Sequence, residues 1–247
     1  MIRVTKTMVA GVLALAGMAG SAAAFPVPAF DTFGTLPGAT FGGMGIPNDA
    51  VAITSFTTAG GHQITLGLTA HERFAEPPVG NDGAGTFTAL AGGFPGMPSL
   101  ARWNFAYYID VVEASFADYS FKLLYDFDPA AGNAGHGVID FTAALSALMI
   151  NPAVVQHVED SQNLGFGFLA TTGGGITAPT FPSFDPNANG QYTFALQAYD
   201  SSMTTLLGQA SILVNTVPEP LSASLFGIGA AGMAFMGYRR RRKAQTA

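Results

Sequence analysis

The residues best suited to metal ligation or proton transfer near neutral pH are four histidines, His62, His71, His136 and His157, and they are scattered along the chain. His71-Glu72 opens the motif by which a zinc-protease helix presents two histidines one turn apart, but Ala75 stands where the second histidine is required. There is no Gly-x-Ser-x-Gly elbow and no phosphate loop ending in Gly-Lys-Ser or Gly-Lys-Thr. Gly165-x-Gly167-x-x-Ala170 has the spacing of a dinucleotide fingerprint, yet it runs on into Gly173-Gly174-Gly175 without a helix to receive a pyrophosphate. Cysteine is absent, which removes disulfides, thiolate metal sites and cysteine nucleophiles.

Oxygen chemistry offers more. Asp126, Asp128 and Asn133 flank a Pro-Ala-Ala-Gly turn at the end of an expected strand, and oxygen ligands gathered by a tight loop are what Ca²⁺ requires. Their spacing does not match a twelve-residue calcium loop, and the competing expectation is a solvated strand end. Glu159-Asp160 is a weaker candidate of the same kind. A glycosidase would need two carboxylates converging in space, which spacing alone does not reveal. Trp103, Tyr107, Tyr108 and Tyr119 are the candidates for a sugar-stacking face. Alternation assigns Tyr107 to the core with Phe105 and Ile109, and leaves Tyr108 and Trp103 as surface candidates on opposite faces.

The elements that would position these residues are strands. Ile64, Leu66 and Leu68 share one face, with Gln63, Thr65 and Thr69 on the other. The same period of two recurs in Phe105-Tyr107-Ile109-Val111, Phe121-Leu123-Tyr125-Phe127, Tyr192-Phe194-Leu196-Ala198 and Ala210-Ile212-Val214. Asp200 to Thr204 reads as the hairpin loop between the last two. Many such strands separated by Gly, Pro, Asn and Asp predict a mostly β, antiparallel sandwich. Helix is expected only over Asp140 to Met149, capped by Asp140 and broken or restarted at Asn151-Pro152. Residues 25–50 and 171–190 read as loops. With 247 residues, 49% apolar and 11% charged, the chain has ample core-forming sequence for one domain over about 25–216. That region carries three bases against fifteen acids, a formal −12, which repels phosphate backbones and excludes nucleic acid as a partner.

Basic residues gather instead at the two ends. Arg3 and Lys6 precede an uncharged apolar run from Met8 to Gly20, and Ala22-Ala23-Ala24 supplies the small residues that signal peptidase reads. Residues 1–24 are therefore expected to be a signal peptide cleaved between Ala24 and Phe25. At the other end, Val217-Pro218-Glu219-Pro220 precedes eighteen uncharged residues, Leu221 to Tyr238. As a helix these span roughly 27 Å, just enough for a hydrocarbon core. Arg239, Arg240, Arg241, Arg242 and Lys243 then form a stop-transfer cluster held in the cytoplasm. A single C-terminal transmembrane helix is thus expected, with the ectodomain outside the cytoplasm. Gly227, Gly229, Gly232 and Gly237 leave its surface thin enough for a partner helix to approach.

A Pro-Glu-Pro triplet, a short apolar helix and an arginine cluster, in that order at the C-terminus, resemble the PEP-CTERM sorting signal of Gram-negative bacteria. The resemblance spans residues 217–247, and two looser stretches, Asn151 to Leu169 and Phe184 to Gly190, are similar to ectodomains that precede such signals. It implies recognition by an exosortase in the inner membrane, cleavage near Pro218-Glu219-Pro220, and association with biofilm-forming, exopolysaccharide-producing cells. Two prolines remove backbone donors and hold the segment extended, which keeps it open to an enzyme. A plain tail anchor is the rival expectation. The function expected from these features is a non-enzymatic surface or matrix protein without a cofactor, calcium aside. A carbohydrate-binding module and, behind it, a secreted hydrolase are the alternatives.

Overall fold

The computed structural model describes residues 25–132 and 134–218. Its strands are β1 (Thr32–Gly34), β2 (Val51–Thr57), β3 (Gln63–Glu72), β4 (Gly80–Asn81), β5 (Thr86–Leu90), β6 (Gly93–Phe94), β7 (Met97–Ala101), β8 (Trp103–Val112), β9 (Tyr119–Tyr125), β10 (Gly137–Asp140), β11 (His157–Gln162), β12 (Ile176–Thr177), β13 (Gly190–Asp200) and β14 (Leu206–Val217). A first sheet has the order β1-β2-β3-β8-β11, a second the order β12-β10-β9-β13-β14-β5-β4, and β6 and β7 form a separate hairpin. The pairing is antiparallel except where β14 runs parallel to β5. A parallel pair requires a long crossover, and here residues 91–205 lie between the two strands.

The two large sheets pack face to face. Ile64, Leu66 and Leu68 on β3 and Trp103, Phe105, Ile109 and Val111 on β8 meet Phe121, Leu123, Tyr192, Phe194, Leu196, Ile212 and Val214 of the second sheet in one buried cluster. Each set alternates with residues of the opposite face, so the period-two spacing decides which side chains enter the core. Phe105 stacks on Phe194 at 4.6 Å between ring centroids, joining the sheets at their centre.

Both outer faces are covered by the segment read as loop. Leu36, Ala39 and Phe41 pack with Val51 and Ala106 over the first sheet, which is why Thr69, on the polar side of β3, is buried. Phe25 packs with Leu124 and Ala195 over the second sheet, and Ala29 bridges Ser211 of β14. A cover of this kind has no periodicity of its own. It is legible only through the apolar residues scattered among its glycines and prolines.

One α-helix, α1 (Phe141–Ala147), is present among the described residues, and Asp140 caps it by accepting a hydrogen bond from the Ala143 N–H at 3.0 Å. Asn151 caps a short 3₁₀ turn, Pro152–Val154, in the same way. No helix of the described residues is long and apolar enough to cross a membrane. The expected signal peptide with Ala22 and Ala24, the expected transmembrane helix, Glu219, Pro220 and the Arg239–Lys243 cluster lie outside the described residues, as does Asn133.

Candidate functional site

A cavity of about 280 Å³ opens on the outer face of the first sheet, where the covering segment lifts away from it. Gly43, Met44, Gly45, Ile46 and Pro47 form its roof. His71, Glu72, Arg73 and Phe74 from the end of β3, Asn104 from β8 and Ser161 from the edge strand β11 form its floor. These three strands are neighbours, with His71 opposite Asn104 and Ser161 opposite Ala106 in the register. Alternation that sends Ala70, Trp103 and Phe105 inward sends His71 and Asn104 outward, under the roof.

Proton positions on the floor follow from its partners. His71 Nδ1 lies 2.7 Å from the Glu72 carbonyl oxygen, which only accepts, so Nδ1 carries the hydrogen. Burial lowers the pKa of His71, against the opposing pull of the Glu72 carbonyl and carboxylate, and keeps the ring neutral. Nε2 is then an acceptor, and the Ser161 hydroxyl donates to it at 2.8 Å. Asn104 Nδ2 donates to Ser161 Oγ at 3.0 Å. Asn163, fully buried, anchors the group from below: its Nδ2 reaches the carbonyls of Ala101 and Trp103 at 2.9 Å and Asn104 Oδ1 at 2.8 Å, and its Oδ1 accepts from Ala101 N–H at 2.9 Å.

The roof is tied down beside the cavity by Glu159. Its carboxylate accepts from the Thr40 and Phe41 N–H groups at 2.8 and 2.7 Å and from the Thr40 hydroxyl at 2.6 Å. Burial opposes its ionisation, but these hydrogen bonds together with nearby His157 hold its pKa below the ordinary carboxylate value. Glu159 thus clamps the cover to the edge strand. Asp160 turns to Ser161 N–H and Gln162 Nε2.

Of the expected calcium ligands, Asn133 lies outside the described residues, and Asp126 and Asp128 are engaged by the backbone. Asp126 Oδ1 accepts from Asp128 N–H at 2.9 Å and Asp128 Oδ1 from Ala130 N–H at 2.9 Å, so both carboxylates cap the turn that follows β9. No group of three His, Asp or Glu side chains suited to a metal ion occurs among the described residues. The aromatic face does not form. Trp103, expected at the surface, is buried at 2% exposure against Tyr192 and Phe194, because the first residue of β8 already lies between the sheets. Tyr107 is core as expected. Tyr108 is half-covered beside His157, and the Tyr119 hydroxyl is engaged by Thr58 and His62. Neither this cavity nor a second of about 270 Å³ beside α1 is lined by two carboxylates.

Sequence spacing gave no sign of the His71, Asn104, Ser161 and Asn163 group, since its members come from three strands and the residue that follows the third, with His71 and Ser161 ninety residues apart. The polar residues interrupting β3 and β8 on their outward faces were the available signal. The chain matches no protein-family model, and comparison with curated proteins gives no match.

Proposed function

We propose that this chain is an exported cell-surface or matrix protein, a β-sandwich ectodomain carried to the membrane by its N-terminal signal, held by a C-terminal transmembrane helix and released by an exosortase acting near Pro218-Glu219-Pro220. The observation that carries the proposal is the ordered triplet, apolar run and arginine cluster of residues 217–247. Two described residues fit it. Phe25, the first residue after the expected signal cleavage, is packed against Leu124 and Ala195. Val217, immediately before Pro218, is the last residue of β14 and pairs with Leu90 of β5. Cutting at either point leaves every strand of the described residues in place.

The test is intact-mass analysis of the protein recovered from the cell envelope and from culture fluid. Material beginning at Phe25 and lacking everything beyond the Val217–Pro220 region is the expected result, above all in the released fraction. Protein that still carries Arg239–Arg242 at the envelope, with none released, overturns processing and leaves a plain membrane anchor.

A further inference from the structure

Arg73 is the unspent group of the cavity. Its residue is 8% exposed, Nε has no hydrogen-bond partner, and its guanidinium makes no ion pair among the described residues. Three rings hold it in place, with the guanidinium carbon 4.9 Å from the centroid of Phe74, 5.3 Å from Phe94 and 5.7 Å from Phe166. Glu76 is taken by Arg102, and Glu72, which lines the same floor, makes no ion pair with Arg73 among the described residues. A buried guanidinium without an anion is costly, and its planar fork of donors matches a carboxylate better than any other common group. Phe74 is also bent into the left-handed region at φ 54 while 76% exposed, the kind of backbone strain that gathers at ligand sites.

The rest of the cavity narrows the ligand class. Asn104 and Ser161 keep one N–H and one lone pair beyond those their mutual hydrogen bonds use, which suits hydroxyl groups. Phe74 and Met44 stand exposed at the mouth and offer an apolar surface to the face of a ring. The formal −12 of the surrounding region disfavours a multiply charged anion over a singly charged one. We infer that this cavity binds a carboxylate-bearing sugar, the uronic acid unit of an acidic saccharide, with Arg73 on the carboxylate, Asn104 and Ser161 on the hydroxyls and Phe74 against the ring. The inference rests on cavity chemistry and stands whether or not the chain is sorted and cleaved.

Calorimetric titration of the full-length chain in detergent at pH 7 tests it, with glucuronate, galacturonate, glucose and inorganic phosphate as probes. One of the uronates binds saturably and at least tenfold tighter than glucose or phosphate. Arg73→Met weakens that binding at least tenfold. Phe74→Ala, at an exposed position, weakens it several-fold with an unchanged melting temperature, which keeps the test decisive should Arg73→Met not fold. Uronates binding no better than glucose, phosphate binding as tightly as either, or a folded Arg73→Met retaining wild-type affinity each overturns it.

Discussion

Asp126 is buried at 2% exposure behind the last turn of β9, and burial pushes its pKa up to about 6 from an ordinary 3.8, with Asp128 adding to the rise and the Asp128 N–H and Thr193 hydroxyl opposing it. The folded state therefore holds a proton that the unfolded chain gives up. Stability from this group is greatest below about pH 4 and declines until pH passes 6, beyond which the cost is constant. At about 1.4 kcal/mol per unit the full loss is about 3 kcal/mol. Asp126→Asn removes the titration while keeping an acceptor for the Asp128 N–H. Urea denaturation is expected to show near-equal stability of the two proteins at pH 4 and a variant more stable by 1–3 kcal/mol at pH 8. A constant difference across that range contradicts the burial of the charge. Calcium that stabilises the wild type at pH 8 but not the variant restores the metal role for this turn. The strand end was visible in sequence as an Asp-x-Asp at a turn. Its burial was not, because Thr193, whose hydroxyl donates to Asp126 Oδ2, lies 67 residues on in the chain.

The elements divide by how local their causes are. Strands β3, β8, β9, β13 and β14 were legible because each carries its own alternation, and α1 was legible from its cap and composition. The cover over residues 36–50 was not. It is held by contacts of long range, of which the Glu159 clamp, reaching 118 and 119 residues back to Phe41 and Thr40, is the clearest. Hydrogen bonds to a charged group contribute about 1.5–3 kcal/mol each where geometry is good, less with partial exposure. Glu159→Ala leaves two backbone N–H groups unpaired, so a loss of about 2–3 kcal/mol is expected in urea denaturation. Because Phe41 sits in the same small core as Ala106 and Tyr108, amide exchange in β3 and β8 on their outward side should quicken with it. Glu159→Gln, which keeps acceptors without the charge, should recover about half. A loss below 0.5 kcal/mol in Glu159→Ala would mean that the apolar contacts of Leu36 and Phe41 alone seat the cover. The cavity exists only because this cover is fixed at Glu159 and free to arch over Gly43–Pro47. A sequence shows the glycines of such an arch, but not which strand face lies beneath them.

At the scale of the whole molecule, the last described strand decides what the proposed cleavage can remove. β14 is interior to its sheet, paired with β13 along its length and with β5 and Ala29 on its other edge. It buries Ala210, Ile212 and Val214 in the main core. At about 1.5–3 kcal/mol for each larger apolar side chain, together with the ladder to β13 and the shorter pairing with β5, its loss is comparable with the roughly 5–15 kcal/mol by which a domain is usually stable. Chains beginning at Phe25 should therefore respond steeply to where they end. A chain ending at Val217 is expected to keep the cooperative melting transition of one ending at Ala247. A chain ending at Asp200 should show neither near-ultraviolet circular dichroism nor a cooperative transition. Thermal melts of the three separate two physical situations. If the Val217 chain melts more than 10 °C below the longest one, residues beyond Val217 contribute to the folded state, and an enzyme cutting near Pro218-Glu219-Pro220 would release a weakened domain. If the two melt together, the sandwich is complete at the residue before Pro218. The proposed cleavage then costs the fold nothing, and its product keeps the cavity intact.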